Sequence, residues 1–173
     1  MRIAPEDYID QCNEYAKLYI EGVKSNYIIT GTYIKKLVAK FERLLADDRY
    51  FFRQEKVNKV YAFFSLINIE HKNQFIQIQL LPWQCFFIKY VFGFYYADNK
   101  EKRLIREVLL MLARKSGKTA FCASLQIFGM LADGVLNPQS MLLANTSGQA
   151  HIALNFAKSI VTHTPEFNKR LVS

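Results

Sequence analysis

The sequence predicts an α/β fold that is helix-rich overall, with a helical N-terminal region before a βαβα core of parallel strands. Apolar residues recur at helical spacing from Pro5 to Ile69. Two later apolar runs, Arg106 to Leu112 and Met141 to Thr146, have the length of strands buried on both faces. A helical pattern follows each run, and this order implies a right-handed crossover between parallel strands. We expect residues 1–80 to form the helical region and residues 81–173 to form the rest.

Four helices are predicted before the first apolar run. They span about Pro5 to Val23, Thr32 to Asp47, Gln54 to Ile69 and Pro82 to Tyr96. A proline and two acids at Pro5, Glu6 and Asp7 support the start of the first helix, because both residue types suit the first turn of a helix. The alternating stretch before Pro82 predicts an extended connection, and residues 97–103 predict a charged surface loop. The apolar stripes of the first three helices are core material, so no catalytic residue is predicted in them.

The stretch Ala113–Thr119, "ARKSGKT", joins the first apolar run to a helical pattern that ends near Asp133. A tight turn at a helix start leaves backbone N–H groups unpaired and favours an anion there. Gly117, Lys118 and Thr119 supply the second half of the pattern G-x-x-x-x-G-K-[ST], whereas its first glycine position holds Leu112. The pattern alone leaves two readings, a phosphate-binding loop or a charged loop between core elements. The order strand, turn and helix favours the first.

The composition limits the class of protein. A chain of 173 residues with 51% hydrophobic residues can bury one sizeable core. The net charge of +8 and a pI near 9.4 suit a polyanionic partner. From Ala120 to Thr164 only Asp133 and Lys158 carry full charges, so this segment is expected to be largely buried.

The cysteines and the longest apolar stretch argue against a disulfide-bonded, zinc-binding or membrane-spanning protein. Cys12, Cys85 and Cys122 are far apart, and we expect reduced core thiols without a disulfide or zinc site. No secretory signal is indicated at the N-terminus. The stretch from Leu80 to Ala97 is interrupted by polar residues and predicts a buried amphipathic helix rather than a membrane span.

Several motifs resemble the large terminase subunit of tailed bacteriophages, the ATPase motor that packages DNA into preformed capsids. "LLPWQCFFIKYVFGFYY", from Leu80, is similar to the family's L-x-P-W-Q segment and its aromatic helix. "REVLLMLARKSGKTAF", from Arg106, resembles its deviant phosphate loop, which also lacks the first glycine. "MLLANTSGQAHIAL", from Met141, is similar to the following strand and helix, and the leading helices from Tyr19 resemble the family too. The resemblance covers nearly the whole chain and implies an incomplete P-loop NTPase.

The resemblance implies ATP and Mg²⁺ as cofactors and assigns a role to each loop residue. Lys118 would bind the β- and γ-phosphates, Thr119 would hold Mg²⁺, and Arg114 would sense the γ-phosphate, with a solvated charge as the alternative for Arg114. The whole binding set comprises Trp83, Gln84, Ala113, Arg114, Lys115, Ser116, Gly117, Lys118 and Thr119. Trp83 and Gln84 would contact the adenine; the alternative is a core aromatic beside a glutamine that caps the next helix. Thr146, Ser147 and Gln149 would contact nucleic acid or couple to the ATP site, or simply start a helix.

The resemblance also shows what this sequence lacks. No apolar strand ending in Asp-Glu follows Thr119 in this sequence, so we expect the chain to lack the Walker B acidic pair and the C-terminal nuclease domain that the resemblance implies. We therefore expect the N-terminal part of a packaging ATPase, inactive in hydrolysis alone, in the cytoplasm of the bacterial host.

The expected partners are double-stranded DNA, the small terminase subunit and the portal protein, with no membrane and with a ring only for the full-length protein. One alternative is a helical interaction module that docks the small terminase or portal and has no nucleotide role. A different phosphate-loop enzyme, such as a small kinase, is disfavoured because no catalytic base or substrate loop is evident.

Overall fold

The computed structural model describes residues 2–113 and 115–167. Within them the chain forms helices and short strands in the following order: α1 (Pro5–Lys24), α2 (Thr32–Leu45), β1 (Tyr50–Phe52), α3 (Gln54–Leu66), β2 (Asn68–His71), β3 (Gln74–Gln77), α4 (Pro82–Gly93), β4 (Phe94–Tyr96), α5 (Lys118–Leu131) and α6 (Ser147–His163). The helix-rich character predicted from the sequence is confirmed.

The first four helices begin at the predicted residues and end close to the predicted ones. α1 has Pro5 at its start, Glu6 and Asp7 in its first turn and Lys24 in its last turn. These charges match the partial charges at the two helix ends. α4 ends at Gly93, three residues before the predicted end at Tyr96, because the chain continues there as strand β4.

The strands form two separate antiparallel pairs. β1 pairs with β4 in the register Tyr50 opposite Tyr96 and Phe52 opposite Phe94. β2 pairs with β3 through a two-residue turn in which Lys72 and Asn73 both have positive φ, at 49° and 61°. Such a turn matches the twist of the two strands. The predicted extended connection therefore contains β3, one of the two strands of this hairpin. Strand β1 was not predicted.

The predicted parallel βαβα core is not observed among the described residues. The segment before the Ala113–Thr119 turn is irregular, with Leu109 87% and Met111 81% exposed, and no described residue pairs with it. The segment from Met141 to Thr146 is also irregular, with Met141 78% and Leu143 85% exposed. A strand satisfies its backbone groups only through a neighbouring strand, and apolar composition alone does not supply one.

The expected burial of residues 120–164 and of all three cysteines also needs correction. In α5 the buried residues are Phe121, Ala123, Ser124, Ile127 and Phe128. In α6 only Ile160 is buried, although α6 carries few charges. Cys12 and Cys85 are buried as expected, whereas Cys122 is exposed. Low charge thus did not predict burial in this part of the chain.

The chain divides into two compact units. The aromatic unit comprises Ala4–Ala62 and Gln79–Leu109, and the loop unit comprises the described residues of Met1–Ile3, Phe63–Ile78 and Leu110–Ser173. One border, between Ile78 and Gln79, lies next to the boundary predicted at residue 80. The predicted division nevertheless differs, since the segment Gln79–Leu109 belongs with the N-terminal helices.

The aromatic unit has a core of ring-to-ring contacts. Phe41 of α2 lies 5.4–6.4 Å, between ring centroids, from four other rings: Phe52, Phe86, Tyr90 and Phe94. α1 packs against α4 with Tyr8, Cys12 and Ala16 fully buried. Tyr61 of α3 donates a hydrogen bond of 2.7 Å from its Oη to the Cys85 carbonyl. Burial raises the pKa of Tyr61, so this hydroxyl stays a donor.

The loop unit surrounds α5 with a smaller core. Phe63 lies 5.4 Å from Phe128 and 4.9 Å from Phe167, and Phe64 lies 5.9 Å from Phe121. Arg2 donates to the carbonyls of Ser65 and Leu66 and forms an ion pair with Glu166. These contacts fix α5, which starts at the Ala113–Thr119 turn.

Candidate functional site

The Ala113–Thr119 turn adopts a curled backbone before α5. Lys115 and Gly117 both have positive φ, at 65° and 74°. Between them, Ser116 donates a hydrogen bond of 2.7 Å from its Oγ to the Ala113 carbonyl, which holds the turn closed. Successive peptide groups in such a turn point their N–H groups to one side, and this arrangement forms a concave site for an anion.

The start of α5 adds further donors to this turn. Gly117 is the N-cap in the left-handed region, and Lys118 is the first helical residue. The first intrahelical bond runs from the Phe121 N–H to the Gly117 carbonyl at 3.1 Å, and no side chain caps the helix. Among the described residues, the N–H groups of Lys118, Thr119 and Ala120 therefore have no acceptor, and the positive end of the helix dipole lies beside them.

The side chains of the turn are open to solvent. Lys115, Gly117 and Lys118 are exposed, and Thr119 is half-buried at the second position of the helix. Lys118 has no hydrogen bond or ion pair with any described residue. Its charge acts on Cys122, one turn further on, where partial desolvation raises the pKa of the thiol and the nearby ammonium opposes that rise. The predicted site residue Arg114 lies outside the described residues.

The groups of this turn are of the kind that hold a phosphate group, and one hydroxyl lies beside them that would be available to Mg²⁺. Backbone donors, a helix start and a free ammonium are the groups that bind phosphate oxygens. The Thr119 hydroxyl follows Lys118 directly, at the position where a hydroxyl binds the metal of a phosphate-bound nucleotide. The left-handed conformation at Lys115 was not predicted, because no sequence signal marks a lysine for positive φ.

Trp83 and Gln84 lie in the aromatic unit, in the first turn of α4. The Oε1 of Gln84 accepts a hydrogen bond of 2.8 Å from the Leu81 N–H, and Gln84 is buried. This bond is one half of a capping box. The other half is missing because Leu81, the N-cap residue, has no side-chain oxygen to accept a hydrogen bond from the Gln84 N–H. The capping alternative considered for Gln84 is therefore observed. Trp83 is half-buried rather than a core aromatic.

Thr146 takes the role of the plain helix cap. Its Oγ1 accepts a hydrogen bond of 3.3 Å from the Gln149 N–H at the start of α6. Ser147 is then the first residue of α6, as the capping alternative in the sequence predicted. The side chains of Ser147 and Gln149 are exposed.

Comparison with known proteins identifies the family of this chain. A curled turn with unpaired N–H groups at a helix start is typical of proteins that bind phosphorylated ligands. The family model for the terminase large subunit, ATPase domain, matches residues 82–171. The chain belongs to this family, and its match includes α4, the Ala113–Thr119 turn and α5.

Two curated relatives extend the match toward the N-terminus. The terminase large subunits of Lactococcus phage p2 and Lactococcus phage SK1 are each 28% identical over 138 residues, which is 79% of this chain. The same alignment covers 25% of each relative, so the chain spans about a quarter of their length. No solved structure matches the chain. Within the described part of the chain, no helix combines the length and apolarity needed to span a membrane.

Proposed function

We propose that this chain binds Mg-ATP at the Ala113–Thr119 turn and acts as the nucleotide-binding part of a DNA-packaging ATPase. The observation that carries the proposal is the curled backbone at Lys115 and Gly117 beside three N–H groups at the start of α5 that have no acceptor among the described residues. Family membership supports ATP as the ligand, because the matching model is an ATPase domain.

Each residue of the turn has a distinct role in the proposal. The N–H groups from Lys115 to Thr119 bind phosphate oxygens, and the Lys118 ammonium neutralises the β- and γ-phosphates. The Thr119 hydroxyl is a ligand of Mg²⁺, and the bound metal supplies charge neutralisation at the phosphates. Arg114, which the structure does not describe, retains its proposed role as γ-phosphate sensor, and Ala113 anchors the turn through its carbonyl.

The adenine contacts rest on the resemblance of the α4 start to the family. We propose that the half-buried Trp83 packs against the base and that the Gln84 amide hydrogen-bonds to it. Because Leu81 already occupies the Gln84 Oε1, the amide Nε2 is the group left to donate to a base nitrogen.

The two exposed apolar segments suggest the remaining part of the fold. We propose that the segments around Leu109 and Leu143 become parallel strands of the ATPase core when the full core is assembled. Their support is the exposure of four large apolar side chains, namely Leu109, Met111, Met141 and Leu143, which strand pairing and helix packing would bury.

The wider role of the chain follows from the relatives and from its charge. We propose that it contributes to packaging double-stranded DNA in the host cytoplasm, together with a small terminase subunit and a portal, as part of a larger ring-forming protein. The net charge of +8 supports contact with a polyanion. We propose ATP binding rather than turnover for this chain, because the acids after Thr119 are Asp133 at a helix end and Glu166 in an ion pair with Arg2.

A titration with a non-hydrolysable ATP analogue tests the nucleotide site. With Mg²⁺ present, the Lys118→Ala variant should bind the analogue at least about tenfold more weakly than wild type, because one charge-assisted contact is lost. Thr119→Ala should weaken binding in Mg²⁺ but not in EDTA. Isothermal titration calorimetry measures both effects.

The matched control is Lys158→Ala, which removes an exposed lysine from α6 in the same unit. This variant should retain wild-type affinity. Equal affinity of wild type and Lys118→Ala would refute the assignment of the site, and no binding by wild type would favour the alternative of a docking module without a nucleotide role.

A further inference from the structure

The connection between α1 and α2 exposes large apolar side chains. Tyr27 is 89% exposed, Ile29 is 95% exposed, and Tyr33 in the first turn of α2 is 87% exposed. Exposed apolar side chains that lie this close together in a folded chain are typical of an interaction site. None of these residues belongs to the proposed nucleotide site.

The backbone of this connection is held in place. The Ile28 N–H donates a hydrogen bond of 2.9 Å to the Gly22 carbonyl. The Ile28 side chain also packs against Gly22, since a Cβ on Gly22 would lie only 2.7 Å from the Ile28 Cδ1. Because Ile28 anchors the connection, Tyr27 and Ile29 on either side of it are presented to solvent from a fixed backbone. A partner therefore pays little conformational entropy to order this segment.

A row of cations continues this surface along α2. Lys36, Lys40 and Arg43 lie with Tyr33 within about 80° of the helix circumference, because spacings of three and four residues put side chains on one face. All four side chains are exposed, and none of the three cations has an ion-pair partner among the described residues. The row is about 15 Å long at 1.5 Å per residue. From Ser25 to Phe41 the chain carries three lysines and no acid.

The row keeps a net positive charge after the neighbouring acids are counted. Glu42 forms an ion pair with Lys24, and Asp47 forms one with Arg49. Asp48 lies beyond the end of α2 and has no ion-pair partner among the described residues. The exposed acids of α1 that approach α2 line the same cavity as Glu42, and no residue of the row lines that cavity. Three unpaired cations therefore stand against one unpaired carboxylate.

We propose that the exposed apolar residues and the cations form one docking face for a linear segment of a partner protein, with apolar residues at one end of the segment and acidic residues at the other. This α2 face comprises Tyr27, Ile29, Tyr33, Lys36, Lys40 and Arg43. The apolar end of the partner covers the connection, and its carboxylates pair with the cations along α2. Tyrosine and arginine are residue types that carry binding energy in protein interfaces.

Other occupants match the α2 face less well. The phosphates of DNA would pair with the cations but would leave Ile29 in water. A second copy of the chain, related by a two-fold axis, would bring two cationic rows together. A membrane surface is planar, whereas the apolar and cationic groups here follow one another along a line.

Fluorescence anisotropy with two labelled peptides tests the proposal. The probe has about 12 residues, with leucine and tryptophan in one half and glutamates in the other, and spans about 18 Å as a helix. The comparison peptide has the same composition, with the glutamates placed between the apolar residues. Wild type should bind the probe at least about tenfold more tightly than the comparison peptide. Lys36→Glu with Lys40→Glu should weaken the binding of the probe at least about tenfold, and so should Tyr27→Ser with Ile29→Ser.

The matched control is Lys17→Glu with Lys59→Glu, which makes the same charge change at two exposed lysines of the aromatic unit outside the α2 face. This control should bind the probe like wild type. An unchanged circular dichroism spectrum would show that every variant is folded.

Four results would overturn the proposal. One is equal affinity of wild type for the two peptides, including no binding of either. Another is an equal loss in the control and in Lys36→Glu with Lys40→Glu, because binding would then follow total charge. The third is tighter binding of a DNA duplex that Lys36→Glu with Lys40→Glu abolishes and Tyr27→Ser with Ile29→Ser leaves unchanged, which would favour nucleic acid. The fourth is binding of phosphatidylserine vesicles without binding of the probe, which would favour a lipid surface.

Discussion

Two apolar regions of this chain differ in burial: one is packed in a core, and the other is exposed to solvent. In α4, eight of the twelve residues are buried, and its Phe86 and Tyr90 rings pack on rings of α1, α2 and β4. The segment before the Ala113–Thr119 turn is as apolar in sequence, yet Leu109 and Met111 are mostly exposed. Composition therefore does not distinguish the two regions.

The difference lies in how each segment satisfies its backbone. A helix forms its own hydrogen bonds, so α4 needs only an apolar surface to pack against, which α1 and α2 supply. A strand needs a neighbour for every second N–H and C=O group as well as a cover for its side chains. The segment at Leu109 has no strand partner among the described residues.

The largest expected effect follows from truncating one residue in each region. Phe41→Ala should lower the free energy of unfolding by about 3–5 kcal/mol, because it empties a site that contacts four rings. Leu109→Ala should change it by less than about 0.5 kcal/mol, because that side chain already faces water. Urea denaturation followed by circular dichroism measures both values.

The Leu109→Ala variant is the critical test of the comparison between the two regions. A loss at Leu109 as large as that at Phe41 would mean that the segment is buried in solution. In that case the contrast between the two regions would disappear.

Two glycines sharpen the comparison on a smaller scale. A Cβ on Gly93 in α4 would lie 2.1–2.8 Å from three atoms of the Phe52 ring, whereas a Cβ on Gly129 in α5 would meet nothing within 4 Å. Gly93→Ala should therefore cost about 1–3 kcal/mol through overpacking. Gly129→Ala should stabilise by about 0.5–1 kcal/mol, because alanine loses less conformational freedom in a helix.

Thermal unfolding of the two glycine variants gives the sign directly. A higher melting temperature for Gly93→Ala would show that the Phe52 ring moves aside easily. The aromatic unit would then be packed less tightly than its ring distances indicate.

The sequence predicts the helices of this fold well, because helical periodicity is a local property. The starts at Pro5, Thr32 and Pro82 could be read from proline, capping and stripe patterns. Strands depend on residues distant in sequence. β1 and β4 have three residues each, which is too short for an alternating pattern, and their pairing joins residues near 51 and 95.

The candidate site was predictable to a similar extent. Glycine at position 117 marks the left-handed turn, and the structure has positive φ there. The positive φ at Lys115 depends on the closed turn and has no signature in the residue itself.

The most local predicted effect concerns α6, where the hydrogen bond of the N-cap contributes stability that core packing supplies in the other helices. Because Ile160 is the buried residue of this helix, the bond from the Gln149 N–H to Thr146 Oγ1 should carry a large share of its local stability. Thr146→Ala should cost about 1 kcal/mol, while Thr146→Ser, which keeps the oxygen, should cost almost nothing. Hydrogen exchange of the α6 amides measures the local effect that global unfolding would average out. Equal exchange rates in the two variants would mean that α6 is held by packing, as α4 is, and not by its first turn.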